Sequence, residues 1–359
     1  MKHFMPKVLL TLMLFFLLLP PIALAQTQHT GQINGAQYII DVPAETSGDV
    51  LLIARGFRPD FFPLSPVYEI ETEFYQTLLA DGWIIGSTSF RSNQWVVAEG
   101  GTDILALREF IDREIHPVNR AIVYGETMGG GVAVWLAENK PDAFSGVFAL
   151  GADLYSKPPA GRDRANEIAP TFNAAPQLPI LFLANAGEIA SSLSYQSLVA
   201  DDSEYKPATW KVERSGHVNV NSAERLTAMR ALLEWVDGKR IASDKNVTIE
   251  MSPDSSAAIT DEVAAGNIRR IRPLYGNLYT SFVAGDMQKL GVGIGDRFKL
   301  VHREMEYAVT FAQSYSDVPQ LAWVAFIDPE GHVQISRNYA NAAQTLNATQ
   351  GDAILLMQK

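Results

Sequence analysis

Five consecutive residues, Gly125-Glu126-Thr127-Met128-Gly129, have the types and spacing that hold a nucleophile in a sharp turn. An apolar run of strand type precedes them, and a helix-like stretch follows from Gly130. In such a nucleophile elbow, a strand turns directly into a helix and presents the middle side chain above the sheet edge. The outer glycines leave room where a Cβ atom would collide with the strand or the helix. The middle residue is threonine, whose hydroxyl can act as a nucleophile.

The elements that must position Thr127 alternate in type from about residue 38 to 236. Short apolar runs predict strands, and segments with helical periodicity predict helices between them, as is typical of parallel β/α units. The predicted strands are 38–42, 50–54, 83–87, 121–124, 144–150, 180–184 and 209–213, and the predicted helices are 72–80, 103–114, 130–139 and 223–236. The sequence therefore predicts an α/β domain at 35–238 with a mostly parallel sheet flanked by helices. Residues 155–177, rich in Pro, Ala and charge, are interpreted as a cap.

The elbow, together with a histidine after the last predicted strand, resembles the α/β-hydrolase family over residues 38–236. Members of that family carry the nucleophile, the acid and the histidine in this chain order. The resemblance implies that Thr127 is the nucleophile and that His217 is the general base. It places the acid at Glu188, which follows a predicted strand by a short turn, with Asp153 after the preceding strand as the alternative.

The family resemblance also implies an oxyanion hole made of two backbone amides. One would be the amide of Met128, directly after the nucleophile. The other would be the amide of Phe57, in the loop after the predicted strand that ends at Ala54. Arg55 stands in this loop where the family usually has histidine, so the resemblance alone does not define the loop conformation.

Threonine is an unusual residue for the elbow. The position requires positive φ, which costs about 1–3 kcal/mol and is worse for a β-branched side chain. The extra methyl group also crowds the line of attack on a carbonyl carbon. Two functions therefore remain open for this domain. One is hydrolysis of ester-type (acyl) bonds by a Thr-His-Glu triad, and the other is a catalytically inactive, hydrolase-fold binding protein.

After a predicted linker and first strand region at 239–267, the pattern becomes strand-like with short turns. The predicted strands are 246–251, 269–282, 297–302, 307–313, 323–327, 333–337 and 353–357, and 341–346 is the one clear helix. The sequence therefore predicts a small all-β barrel domain at 268–359.

Four stretches of this second domain carry a further resemblance: IRPLYGNLYTS at 271–281, QSYSDV at 313–318, AFIDPEGHVQI at 325–335 and RNYANAA at 337–343. Together they resemble the C-terminal barrel of the S-adenosylmethionine hydroxide adenosyltransferases and fluorinases. The resemblance implies that Tyr275 stacks on an adenine ring, that Asn277 and Arg337 hydrogen-bond it, and that the barrel forms a trimer. Arg272 stands where that family has aspartate, and the family's catalytic N-terminal domain is replaced by the hydrolase-like one. A structural or oligomerising module is the other interpretation.

The N-terminal residues 1–25 have the pattern of a cleaved signal peptide. Lys2 and Lys7 precede an apolar run at 8–19, and Ala23-Leu24-Ala25 provides a small-residue cleavage site. The apolar run is shorter than the roughly 20 residues that span a bilayer, which argues against a retained anchor. We therefore expect an exported protein, periplasmic or secreted, that does not bind membranes after cleavage.

The amino-acid composition limits the classes of partner that we expect this protein to bind. Removal of the two leader lysines takes the formal net charge from −11 to −13, so nucleic acid and anionic membranes are poor partners. The chain has no cysteine, which excludes disulfides, thiolate nucleophiles and cysteine-metal sites. No His/Asp cluster has metal-ligand spacing. The sequence therefore predicts a small-molecule substrate with neither cofactor nor metal.

Overall fold

The computed structural model describes residues 26–66, 68–155, 168–260, 262–272 and 274–358. The predicted signal peptide at 1–25 and most of the predicted cap, 156–167, lie outside the described residues. The described chain folds into an open, mostly parallel sheet followed by a closed barrel, which confirms the predicted fold class. In the described ranges, no helix has both the length and the apolar character that a membrane span requires.

The first domain is built on a nine-stranded sheet in the order β1-β2-β4-β3-β5-β6-β7-β8-β9. Its strands are β1 (Thr27–Ile33), β2 (Ala36–Val42), β3 (Asp49–Ala54), β4 (Ile84–Thr88), β5 (Arg120–Glu126), β6 (Gly146–Leu150), β7 (Ile180–Asn185), β8 (Ala208–Val212) and β9 (Asp244–Asn246). The pairs β1–β2 and β2–β4 are antiparallel, and all other neighbours are parallel. The carboxyl ends of β5, β7 and β8 therefore lie at one edge of the sheet, where ligands of open α/β sheets bind.

Helices cover both faces of this sheet. They are α1 (Glu73–Ala80), α2 (Val97–Phe110), α3 (Met128–Asn139), α4 (Ala190–Leu198) and α5 (Ser222–Val236). Along β3, Val50 and Leu52 belong to the core that contains α2 and α3, while Leu51 and Ile53 belong to the core that contains α1 and α5. This alternation explains the continuous apolar runs, because a parallel strand covered on both faces needs apolar residues at every position.

The described residues of the second domain form eight strands, seven of which close into a barrel. They are β10 (Ala258–Ile259), β11 (Val263–Ile271), β12 (Leu278–Val283), β13 (Arg297–His302), β14 (Met305–Phe311), β15 (Trp323–Ile327), β16 (His332–Arg337) and β17 (Ala353–Met357). Their order is β10-β11-β12-β16-β15-β14-β13-β17, and β17 also pairs with β11 and closes the ring. Two short helices, α6 (Ala284–Lys289) and α7 (Ala342–Leu346), accompany the barrel.

Two strand predictions for the second domain were wrong in detail. Strand character near 246 belongs to β9, which pairs with β8 in the first sheet rather than with the barrel. The predicted strand 269–282 is two strands, because the chain turns between β11 and β12, with positive φ at Leu274 and Gly276. The barrel begins with β11 at Val263, ahead of the expected boundary at residue 268.

The two domains meet at a largely buried carboxylate, Glu69, whose side chain is 12% exposed. From the barrel, Arg270 donates to it, and the Tyr279 hydroxyl donates at 3.2 Å. Arg272 Nε lies 2.6 Å from Glu69 Oε1, although this N–H is not aligned for a hydrogen bond. Burial raises the pKa of Glu69, but Arg272 and Arg270 together lower it more, so it lies below the ordinary value. Glu69 therefore links the domains as an ionised group.

We expect Glu69→Gln to lower the free energy of unfolding by about 3–5 kcal/mol at pH 7, because two arginines would lose their buried counter-ion. Since the pKa of Glu69 is lowered on folding, this contribution is present above the ordinary carboxyl range and disappears as pH falls through the lowered pKa. Denaturant titrations at pH 7 and in acid measure both effects. Glu71→Gln is the matched control, because Glu71 also pairs with Arg270 but is 44% exposed. If Glu71→Gln lowered the free energy of unfolding as much as Glu69→Gln, Glu69 would not be the ionised group that links the domains.

Candidate active site

The elbow predicted around Thr127 is present between β5 and α3. Thr127 has φ 57° and ψ −116°, and α3 begins at the next residue, Met128. A Cβ on Gly125 would lie 2.0 Å from the carbonyl oxygen of Gly129, and one on Gly129 would lie 1.9 Å from that of Ala54. Both clashes are with backbone, so glycine is required at each position.

The strained backbone of Thr127 is held from several sides. Its amide donates to the carbonyl of Leu150 at 3.0 Å, and its carbonyl accepts from the amides of Gly130 and Asp153, both at 3.0 Å. These hydrogen bonds hold the backbone in a conformation that a β-branched residue would otherwise avoid, because positive φ is strained for it. The elbow conformation is therefore imposed by β6 and α3 rather than by the preference of threonine.

The predicted nucleophile, base and acid form one hydrogen-bonded chain. Thr127 Oγ1 lies 2.9 Å from His217 Nε2, and His217 Nδ1 lies 2.6 Å from Glu188 Oε2. Because a carboxylate accepts at Nδ1, that nitrogen carries the proton and Nε2 accepts from the threonine hydroxyl. The arrangement has the connectivity through which a base activates a hydroxyl.

Glu188 is fixed in place by the loop that carries His217. Its second oxygen, Oε1, accepts from the Val218 amide at 2.9 Å. A Cβ on Gly151 would lie 2.7 Å from this oxygen, so glycine after β6 leaves room for the carboxylate. The Asn185 side chain braces the same loop, because its Nδ2 donates to the carbonyl of Asn219 and its Oδ1 accepts from the Asn219 amide. The alternative acid, Asp153, accepts from the amide of Tyr155 instead.

The two amides expected to form an oxyanion hole belong to segments that meet at Thr127. Met128 N lies at the N-terminus of α3, where helix amides lack intrahelical partners. A Cβ on Gly56, the residue before Phe57, would lie 3.8 Å from Thr127 Oγ1. In the part of the chain that the structure describes, neither amide donates to a protein acceptor. Both are therefore available to a developing negative charge.

Arg55 orients the Phe57 amide, a role that the sequence did not reveal. Its side chain is buried, lies 4.7 Å from the centroid of the Phe90 ring and donates to the carbonyls of Ser89 and Gly56. The Gly56 carbonyl and the Phe57 N–H belong to one trans peptide, so they point in opposite directions. By holding the carbonyl, the guanidinium directs the amide away from itself. The sequence feature that could have indicated this role is arginine at position 55, where the α/β-hydrolase family usually has histidine.

A cavity of about 440 Å³ opens above Thr127 and His217, and residues of both domains line it. Tyr275, Tyr279 and Tyr315 contribute aromatic rings from the barrel side. This is a suitable size for a small organic substrate. No cluster of three or more His, Cys, Asp or Glu residues with metal-binding geometry occurs among the described residues.

The three barrel residues implied in adenosyl binding are not brought together around one space. Tyr275 lines the cavity described above. Asn277 is buried and donates from Nδ2 to the Tyr315 hydroxyl at 2.7 Å. Arg337 donates from Nη2 to the carbonyl of Leu321 at 2.7 Å and is not among the cavity-lining residues.

Comparison with known proteins assigns the second domain most clearly. Residues 274–355 match the family described as the SAM hydroxide adenosyltransferase C-terminal domain. The fluorinase of Nocardia brasiliensis is 27% identical over 119 residues, which are 33% of this chain and 39% of the fluorinase. The chain thus spans less than half of that relative, and the predicted resemblance of the barrel is confirmed.

Solved structures with a similar fold to the first domain have low identity. Dienelactone hydrolase from Anabaena variabilis is 12% identical, with 60% of this chain and 96% of that chain covered, at a TM-score of 0.41. Pyrococcus horikoshii acylaminoacyl peptidase is 13% identical, with 59% and 41% covered, at a TM-score of 0.45. The assignment of the α/β-hydrolase fold rests on the strand order and on the elbow themselves.

Proposed function

We propose that the protein is an exported hydrolase of ester-type bonds in which Thr127 is the nucleophile, His217 the general base and Glu188 the residue that orients it. The supporting observation is the chain of two hydrogen bonds, 2.9 Å from Thr127 Oγ1 to His217 Nε2 and 2.6 Å from His217 Nδ1 to Glu188 Oε2. A hydroxyl, an imidazole and a carboxylate in this connectivity perform acyl transfer on several unrelated folds.

The proposed reaction has two halves. Thr127 Oγ1 attacks the substrate carbonyl carbon while His217 Nε2 takes the hydroxyl proton, and the Met128 and Phe57 amides bind the resulting oxyanion. The bond to the leaving oxygen then breaks, His217 protonates that oxygen, and an acyl-threonine ester remains. Water attacks this ester with His217 again as base, and the proton returns to Thr127 Oγ1 as the acid is released. Glu188 stabilises the imidazolium that forms in each half.

Labelling with a fluorophosphonate probe, followed by peptide mapping, tests whether residue 127 reacts. We expect phosphonylation of Thr127 in the wild type with loss of fluoride, and no labelling of Thr127→Ala. Thr127→Ser should label faster than the wild type, because serine lacks the methyl group that crowds the attacking oxygen and tolerates the positive φ better. Absence of label at residue 127 in both the wild type and Thr127→Ser would reject the proposal.

A binding function for the barrel is the second candidate, and the match at residues 274–355 together with Tyr275 in the cavity wall favours it. In that case the hydrolase scaffold is inactive, and the barrel recognises an adenosyl-like ligand or drives trimer formation. Calorimetric titration with adenosine and with S-adenosylmethionine tests the first alternative, and light scattering tests the second. Heat of binding without Thr127-dependent ester turnover would favour this candidate.

Export is part of the proposal because residues 1–25 have a signal-peptide pattern. Expression of the full chain in a bacterium, followed by cell fractionation and mass measurement of the N-terminus, tests it. We expect a periplasmic or secreted product that begins at Gln26. A full-length product in the cytoplasm would contradict export and leave the proposed chemistry unaffected.

A further inference from the structure

Arg58 is a buried cation in the wall of the cavity above Thr127. Only 2% of the residue is exposed, and it lies one residue after Phe57. Its Nη1 donates to the carbonyl of Ser65, while its Nε is buried without any hydrogen-bond acceptor. Among the described residues, no carboxylate pairs with it. A guanidinium in this state carries an uncompensated desolvation cost.

Three other arginines of this cavity, Arg225, Arg270 and Arg272, are paired with nearby acids. Arg225 Nη1 lies 3.1 Å from Glu126 Oε1, and Arg270 and Arg272 share Glu69. Arg55 is instead a neighbour of Arg58, and burial followed by the charge of Arg58 lowers the pKa of Arg55 to about 9. Positive charge is therefore in excess at the end of the cavity formed by residues 55–58, which we call the oxyanion loop.

Aromatic rings border this cationic end of the cavity. Tyr275 of the barrel packs against Phe62, which lies four residues after Arg58, with ring centroids 5.5 Å apart. The Arg272 guanidinium lies 5.2 Å from the centroid of the Tyr275 ring, on the barrel side. A bound group at Arg58 would thus lie in a shaped, partly apolar space rather than in open solvent. Low local dielectric strengthens a charge-assisted hydrogen bond formed there.

We propose that Arg58 binds an anionic oxo group of the substrate, a carboxylate or a phosphate, close to the carbonyl that reacts with Thr127. The inference rests on the proposed hydrolase function for the identity of the reacting carbonyl, while anion binding itself is independent of turnover. The planar guanidinium fork matches both oxo groups, and a bound anion would supply an acceptor for Nη2, which has no protein acceptor among the described residues and, unlike Nε, is not fully buried. The substrate class is therefore an ester that carries a negative charge.

Calorimetry with inert ligands tests anion binding without turnover. The probes are 4-phenylbutyrate, its neutral analogue 4-phenylbutyramide, and 2-phenylethylphosphonate. For the wild type we expect at least one anion to bind about tenfold or more tightly than the amide, and the preferred anion distinguishes carboxylate from phosphate recognition. In Arg58→Gln this preference should fall towards one. Arg113→Gln, which removes an exposed arginine, should keep it.

The buried position of Arg58 requires a second variant. Arg58→Lys retains the charge and should retain part of the anion preference, whereas Arg58→Gln should lose it, with circular dichroism and thermal unfolding used to compare the folded states of the two. Equal affinity of the wild type for the anions and the amide would overturn the inference. An anion preference that persists in folded Arg58→Gln would overturn it as well.

Hydrolysis of paired esters separates this inference from the proposed function. The substrates are mono-4-nitrophenyl glutarate and the neutral 4-nitrophenyl methyl glutarate diester. We expect the wild type to favour the anionic ester in kcat/KM, and Arg58→Gln to reduce the ratio at least tenfold. Thr127-dependent hydrolysis with no preference would overturn the inference and leave the function in place. Anion binding without Thr127-dependent hydrolysis would overturn the function and leave the Arg58 site in place.

Discussion

His217→Ala is expected to lower kcat/KM for nitrophenyl ester hydrolysis by about 10⁴-fold or more, because Thr127 would lose the group that takes its proton. The double variant Thr127→Ala/His217→Ala should be hardly slower than either single variant, since residues that act as a unit give strongly non-additive losses. Steady-state kinetics of the three variants and the wild type measure both effects.

A histidine outside the cavity provides the control for this prediction. His116 follows the helical segment at Ile111–Ile115 and does not line the cavity, so His116→Ala should retain wild-type kcat/KM. If His217→Ala kept most of the activity, or if the losses of the two single variants multiplied in the double variant, Thr127 and His217 would not act as one unit. Thr127 would then have to lose its proton to a group other than His217.

Gly129→Ala is expected to lower the free energy of unfolding by more than about 4 kcal/mol, or to prevent folding. The new Cβ would lie 1.9 Å from the carbonyl oxygen of Ala54 and 2.7 Å from that of Arg55. Both obstacles are backbone at the end of β3, so the helix and the oxyanion loop would have to move apart. Denaturant unfolding followed by circular dichroism measures the loss.

Gly285→Ala is the matched control for this substitution. Gly285 lies in the first turn of α6, and a Cβ there would meet nothing within 4 Å. Alanine is favoured over glycine in helices by about 1 kcal/mol, so this variant should be as stable as the wild type or more so. Wild-type stability of Gly129→Ala would show that α3 and the end of β3 are not in the close contact described above.

The elbow could be predicted from sequence because its constraints are local. Two glycines four positions apart, between an apolar run and a helical run, leave few other conformations for Thr127. His217 and Glu188 could be named because the resemblance supplies their order along the chain. Their distances could not be predicted, because they depend on how Asn185 and Val218 hold the histidine loop.

Charged contacts between the two domains could not be predicted from sequence patterns. Glu69 and Arg270 are 201 positions apart, and no periodicity marks such a pair. The unpaired state of Arg58 is equally invisible in sequence, because it follows from which acids the folded chain brings near it. Sequence did identify Arg55 and Arg272 as departures from the two families, and both lie in or beside the cavity.

Some local elements were missed for reasons of propensity. Helix α4, ASSLSYQSL, contains four serines, which compete for backbone hydrogen bonds and weaken a helix in isolation. Burial of Ser191, Ser192 and Tyr195 against the first domain supports it in the folded chain. Helix α2 begins at Val97, whereas the sequence predicted a start at residue 103. The first turns were missed because Gly100 and Gly101 have low helix propensity. In the fold these glycines allow close packing against Phe90 and Trp135.

Closure of the barrel restricts how copies of this chain can associate. Each of the seven ring strands already has a hydrogen-bonded neighbour on both sides, so a second copy cannot extend the ring by main-chain pairing. Any trimer built on the seven ring strands must therefore depend on side-chain contacts across the outer surface of the barrel. In the described part of the chain, main-chain pairing between copies is left to strands with a single neighbour, which are the two-residue β10 beside the ring and β1 and β9 at the ends of the other sheet.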